Sequence, residues 1–262
     1  MEDGVWRTIR GRRVFIKKGQ SLSDAMKESG KFKNKKQDIK ETKNLKMKDM
    51  SEEDKKQLYE YTEGYYNYTN VALRNGENIE LSKQVVELDN VIKKGYIEDG
   101  ELYRTANINE LGIKTDDIWD NTNNLTLKYT KDIEYGTKEY DDAVYKSYIE
   151  SNKQTYNIIK NNLKINDEFE DKAFKSTSSN DEIATKYQTV YVNEKYGSVP
   201  SPTQAIIKYN IKGKINAIDI GEASYVKDQK EILLQRGTKS KITKIEFSDK
   251  YNCTYIEMDL YK

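Results

Sequence analysis

Partway along the chain the hydrophobic rhythm changes, from the three-and-four spacing of helices to the alternation of strands. Ser51-Glu52-Glu53-Asp54 has the Ser-x-x-acid form of a helix N-cap, and its acidic residues suit the positive end of a helix dipole. The spacing predicts a helix from about Glu52 through Leu58 and Tyr61, bending near Gly64, then through Tyr68 and Val71 to Arg74, with Asn75-Gly76 as its stop. Leu81, Val85, Leu88 and Ile92 predict a second helix ended by Gly95, and residues 140–163 a third. Strands become frequent from about Leu102 and dominate after Ala173. Residues 205–211, 215–220, 231–236, 241–247 and 254–261 are short β-branched or aromatic runs separated by Gly, Asp, Asn or Ser. Helices followed by a run of short strands make an α+β chain with an antiparallel β body.

Composition narrows the chemistry. With 262 residues the chain can bury the core of one large domain, or of a domain with an appendage. Charged residues make up 34% and apolar ones 35%, but 21 tyrosines supply amphipathic bulk that a disordered chain lacks. There is no histidine, which removes Ser-His-Asp and Cys-His mechanisms and imidazole metal ligation. The single cysteine, Cys253, excludes an internal disulfide and a multi-cysteine metal site; its alternating surroundings mark it as a buried strand residue. Carboxylates, amides, hydroxyls and arginines are left to do any chemistry, without a metal. No signal-peptide core and no membrane-spanning run is present, so a cytoplasmic location is expected, with no secretion by a cleaved signal and no membrane partner.

Charge divides the chain. Residues 1–50 hold 15 Lys or Arg against 7 Asp or Glu, a net +8 that leaves about −7 for the rest of a chain whose total is +1. Within this basic front, residues 5–16 predict a small hairpin turning at Gly11, and Lys31 to Lys48 a solvated linker or a frayed helix. The expected organisation is therefore a basic appendage and linker over 1–50 and a catalytic domain over 51–262.

Three short stretches carry the functional signal: Leu102-Tyr103-Arg104, Phe174-Lys175-Ser176-Thr177-Ser178, and Gln229-Lys230-Glu231-Ile232-Leu233-Leu234. Taken singly, each has an ordinary structural reading. A glutamate opening an apolar strand is usually a solvated strand end, a hydroxyl cluster an edge or a turn, and a lone arginine a surface ion pair. Chemically, an extended segment sends side chains i and i+2 the same way, so Gln229 and Glu231 can address one cleft. The planar fork of Arg104 suits a pyrophosphate better than a lysine would.

In this order and spacing the three stretches resemble the Arg, Ser-Thr-Ser and Gln-X-Glu motifs of the mono-ADP-ribosyltransferases, over roughly residues 51–262. The resemblance is nearest to the single-domain, C3-like exoenzymes and their phage-encoded relatives. It implies the ADP-ribosyltransferase fold, a helical lobe packed on a two-sheet antiparallel β body with an NAD cleft, and NAD as the substrate whose ADP-ribose is transferred to a protein. Glu231 would stabilise the ribosyl cation formed when nicotinamide leaves, a charge like that in glycoside hydrolysis. Ser176 would bond both Glu231 and the cofactor, with Thr177 and Ser178 supporting the strand, so that the resemblance places Ser176, Thr177, Ser178 and Glu231 in the cofactor site. Arg104 would grip a phosphate, as would Arg74, whose position at a helix C-terminus is equally explained by the dipole. Gln229 would orient the acceptor, and because an amide is no base, a non-arginine acceptor is implied. Tyr225 would sit on the acceptor-recognition turn.

The sequence departs from the family pattern in places. Thr105 stands where a Gly is common, and between Ser179 and Gln204 there are Tyr187, Tyr191 and Tyr196 as stacking candidates but no Arg. Residues 6–20 resemble a short element of minor head proteins of tailed phages. The resemblance thus implies as partner a bacterial host protein or a Rho-type GTPase, and, through the front segment, a phage head protein, with a virion-associated enzyme delivered into a target cell. NAD glycohydrolysis, and an inactive structural module, stand as rivals.

Overall fold

The computed structural model describes residues 4–9, 12–17, 45–47, 49–77, 82–185, 189–193, 197–225 and 230–262. The chain divides into two compact units, residues 1–40 and 41–262. In the first, β1 (Gly4–Ile9) and β2 (Arg12–Lys17) pair antiparallel from Gly4↔Lys17 to Ile9↔Arg12, which is the expected hairpin; its turn at Gly11, and most of the Lys31–Lys48 linker, lie outside the described residues.

The second unit begins with strand β3 (Leu45–Met47), inside the stretch the sequence reading gave to the appendage. Helix α1 (Glu52–Glu60) then starts at Ser51 with a complete capping box: the Ser51 hydroxyl accepts from the Asp54 N–H, and the Asp54 carboxylate accepts from the Ser51 N–H at 2.8 Å. The bend expected near Gly64 is a π-helical turn, Tyr61–Tyr65, after which α2 (Tyr66–Arg74) continues to the predicted stop. Helix α3 (Lys83–Ile92) follows an N-cap at Ser82. Gly95 does not end it but opens β4 (Gly95–Ile97), and Leu81 lies outside the described residues.

Two elements interrupt the run of strands expected after Leu102. Beyond β5 (Glu101–Asn107), α4 (Asp116–Thr130) was not foreseen, and α5 (Lys138–Asn162) fills the predicted third helix. Helix α4 is rich in Thr and Asn, weak formers that leave little periodic signal. Its hydroxyls bond back one turn, Thr122 to the Ile118 carbonyl at 2.7 Å and Thr130 to that of Thr126 at 2.8 Å. They also bond across to α5, where the Thr126 and Ser147 hydroxyls meet at 2.9 Å. Small residues at the contact let two polar helices pack closely, so tertiary structure overrides propensity.

The remaining strands are β6 (Glu168–Asp171), β7 (Lys175–Ser178), β8 (Thr189–Asn193), β9 (Gly197–Pro200), β10 (Gln204–Ile211), β11 (Ile215–Asp219), β12 (Glu231–Leu234), β13 (Thr238–Ser248) and β14 (Cys253–Tyr261), with a short helix α6 (Asp181–Thr185) after β7. Strands β8 and β9 pair only with each other. The other ten form one ladder in the order β3-β4-β11-β12-β7-β5-β10-β14-β13-β6. This corrects the expected two antiparallel sheets on both counts. The ladder is continuous, and β10 and β14 run parallel because the β13–β14 hairpin returns beside β10 in the same direction. The two-sheet expectation has a physical counterpart, because between β7 and β5 only Tyr103↔Ser178 are paired, with five strands on either side.

Side-chain alternation assigns the faces. Ile232 and Leu234 of β12 enter a large core shared with Leu102, Ile207, Tyr209 and Ile256 from the other half of the ladder. Leu233 points the opposite way, with Phe174 and Ile218, into a second core closed by Leu58, Tyr61, Leu73 and Ile92 of α1–α3. A strand buried on both faces is therefore what carries the third motif.

Candidate active site

Glu231 is the first residue of β12, directly opposite Ser178 and diagonal to Ser176 in the antiparallel pair with β7. That register puts Glu231, Ser176 and Ser178 on the face that also carries Leu233, towards α1–α3. Glu231 is only 6% exposed. Burial raises its pKa above the usual carboxylate range, and a hydrogen bond from Ser176 partly offsets the rise. Thr177, on the other face, ties the strands together by donating to the Ile232 carbonyl at 2.7 Å. The Ser178 hydroxyl accepts from the Asn180 N–H at 3.2 Å and so shapes the turn into α6.

The backbone just before Glu231 is not extended. Lys230 has φ 45°, in the left-handed region that non-glycine residues rarely occupy. The alternation argument that aimed Gln229 alongside Glu231 needs an extended residue between them, and Lys230 is not one. Gln229 itself lies outside the described residues, as do Tyr187 and Tyr196.

Tyr225 is brought to the helical lobe: its N–H donates to the Thr62 hydroxyl at 2.8 Å, and its ring meets Tyr59 edge-on at 5.7 Å. Thr62 sits in the π-helical turn and donates to the Leu58 carbonyl at 3.0 Å, so the irregular turn supplies the acceptor that holds Tyr225.

Arg74 and Arg104 come together although 30 positions separate them, joined by two carboxylates that the sequence did not single out. Arg74 Nη2 lies 3.0 Å from Glu110, and Arg74 Nε and Nη2 each lie 3.2 Å from Asp171. Arg104 Nη2 lies 2.9 Å from Glu110, and Arg104 Nη1 3.8 Å from Asp171. Burial alone would raise the Asp171 pKa, but Lys175, Arg74 and Arg104 hold it below the usual range. Lys175, 2% exposed, donates to the Thr238 hydroxyl at 2.5 Å and sits 3.7 Å from Asp171; desolvation pushes its pKa down to about 8.

Tyr61 is buried, its ring packs edge-on against Phe174 at 5.9 Å, and burial raises the pKa of its hydroxyl. Asn70 donates to that hydroxyl at 3.0 Å and accepts from the Phe174 N–H at 3.2 Å, stitching α2 to the approach of β7. A separate open groove, lined by Asp89, Lys93, Asn216, Gln235 and Arg236, lies beyond the opposite end of β12 and contains none of these residues. No group of three or more His, Cys, Asp or Glu among the described residues could hold a metal ion, and no described helix is long and apolar enough to cross a membrane.

The fold is that of the mono-ADP-ribosyltransferases. A profile of the ADP-ribosyltransferase exoenzyme family matches residues 31–262, and the chain belongs to that family, whose substrate is NAD. Among solved structures, the Clostridium limosum C3 exoenzyme is 19% identical over 81% of this chain and 87% of its own, with a TM-score of 0.52. Plx2a, an ADP-ribosyltransferase toxin from Paenibacillus larvae, is 20% identical over 81% and 88%, also with a TM-score of 0.52. C3stau2 from S. aureus, solved with NAD, is 21% identical over 92% and 96%, with a TM-score of 0.49. At these identities the likeness is one of fold. Comparison with curated protein sequences finds no match.

Proposed function

We propose that the protein transfers ADP-ribose from NAD to a non-arginine side chain of a target protein, as an effector acting on a bacterial host protein or a Rho-type GTPase. The observation that carries this reading is the buried Glu231 bonded to Ser176 at the start of β12. As nicotinamide departs, positive charge grows on the ribose, and an ionised carboxylate with little competing water stabilises that charge more than the neutral ground state. Nicotinamide is a good leaving group and needs no general acid, which fits a chain without histidine. Ser176 fixes the carboxylate, Arg104 and Arg74 receive the pyrophosphate, and Tyr225 with Gln229 faces the acceptor.

The test incubates the purified protein with labelled NAD and either bacterial or animal-cell lysate, beside Glu231→Gln. A discrete labelled band that Glu231→Gln lacks is expected, and the lysate that yields it identifies the class of target. Gln229→Ala is expected to spare nicotinamide release and lose the band; equal loss of both would sink the acceptor role of Gln229. Nicotinamide release without any band, in both lysates, would favour hydrolysis of NAD over transfer.

A further inference from the structure

The arginine pair is held by a charge cluster whose hub has no part in the reading above. Three cations, Arg74, Arg104 and Lys175, surround two carboxylates, Glu110 and Asp171, which leaves an excess of one positive charge. Glu110 touches only the two arginines. Asp171 reaches all three cations, each from a different element: Arg74 at the end of α2, Arg104 in β5 and Lys175 in β7. It grips Arg74 with both oxygens, at 3.2 Å to Nε and 3.2 Å to Nη2, the fork geometry that fixes a guanidinium in direction as well as position.

Asp171 is itself fixed by backbone. It ends β6, paired with Thr238 of β13; its carbonyl accepts from the Gly237 N–H at 2.8 Å, and its Oδ1 from the Ala173 N–H at 3.0 Å. The arginines, by contrast, are long side chains that repel one another; the two counter-ions they share are Glu110, at 3.0 and 2.9 Å, and Asp171, which adds the bidentate grip on Arg74 and the anchor to the Ala173 N–H. Arg104 is 12% exposed and Arg74 27%, so Arg74 keeps part of its donor surface open to an incoming anion. Five residues after Asp171 the same segment carries Ser176, the partner of Glu231.

We propose that Asp171 is a positioning residue, whose backbone-anchored carboxylate holds Arg74 and Arg104 together as one preorganised cationic face for the pyrophosphate of NAD. It touches no reacting atom and acts through the two arginines. The inference rests on the reading that these arginines receive the pyrophosphate.

The experiment is steady-state nicotinamide release by Asp171→Asn, with NAD binding measured by calorimetry and free nicotinamide as a phosphate-free probe. Asparagine keeps the size and the Ala173 acceptor but loses the charge. The expected result is a rise in KM and Kd for NAD of about tenfold, the scale of one charge-assisted contact, with kcat within about threefold and nicotinamide binding unchanged. Arg74→Gln should raise KM similarly, and the double variant should be little worse than either single one, because the two act as a unit. A fall in kcat with KM unmoved, or an additive double variant, would overturn the proposal. If Asp171→Asn does not fold, Asp171→Glu, which keeps the charge on a longer arm, should show a smaller KM rise at unchanged kcat; a loss confined to kcat, or no change in KM, overturns it as well. Failure of the underlying reading is separable: Arg74→Gln and Arg104→Gln would then leave the KM for NAD unmoved, whereas their raising it while Asp171→Asn does not would sink the positioning role alone.

Discussion

Glu231, the proposed stabiliser of the ribosyl cation, burdens the fold that holds it. Burial raises its pKa, so the folded state holds the proton more tightly than the unfolded chain does. The stability linked to it is therefore complete below the unfolded pKa and is lost as pH rises through the folded one. The ionised form that the proposed chemistry needs is the one the fold disfavours. Glu231→Gln, whose amide oxygen still accepts from Ser176, should abolish NAD cleavage yet raise stability at pH 7 by on the order of 1 kcal/mol, an advantage that disappears near pH 4. Thermal melts across that range check it, and a variant less stable than wild type at pH 7 would contradict it. Ser176→Ala removes the bond that lowers the Glu231 pKa, so the acid limb of the kcat profile should move to higher pH and kcat fall by roughly tenfold or more. An acid limb that stays put would show that Ser176 does not tune the carboxylate. At this scale Ser176 and Glu231 were legible because they fall in ordered short motifs. Asp171 and Glu110 were not, because nothing local marks a carboxylate whose partner, Arg74, lies 97 residues away for Asp171. For Glu110 the only signal is a spacing of six from Arg104.

Among elements, legibility follows how local the cause is. The start of α1 is written in Ser51 and Asp54, three residues apart, and the bend of the following helix in Gly64. Helix α4 is held by hydroxyls bonding to α5, to residues 21 and 29 positions further along, so its pattern of Thr and Asn reads as irregular until the partner helix is present. The direction of β14 is likewise non-local: alternation marks it as a strand but does not tell which neighbour it joins or in which sense. The stitch between α2 and β7 is testable at the same scale. Asn70→Ala would leave the Phe174 N–H and the Tyr61 hydroxyl without their partner, next to a second core that holds both rings. A loss of about 1–3 kcal/mol is expected, measured by urea unfolding, with an accompanying rise in KM for NAD as Arg74, one turn further along α2, loses its support. Wild-type stability in Asn70→Ala would mean that apolar packing of Tyr61 on Phe174 alone joins lobe to strand.

For the whole molecule, the question is where the catalytic unit begins. Every described residue of the two hydrophobic cores, and every residue packed against them, lies at or after Leu45. Leu45 packs against the large core and its strand pairs with β4 from Leu45↔Ile97 to Met47↔Gly95, while Met50 packs against the second core. A chain beginning at residue 41 therefore retains all of these contacts, and one beginning at Ser51 loses an edge strand and two apolar side chains. Because β4 joins β11, and β11 joins β12, the edge that β3 covers is two strands from Glu231. The chain from residue 41 should match the full protein in melting temperature of the catalytic unit and in nicotinamide release. The chain from Ser51 should be destabilised by about 2–4 kcal/mol, from the burial lost at Leu45 and Met50 and the backbone bonds lost with β3, while keeping its KM for NAD wherever it is still folded. Equal stability of the two truncations would return the boundary to residue 50. Loss of activity from the first would give the hairpin unit a role in catalysis that the cores do not require of it.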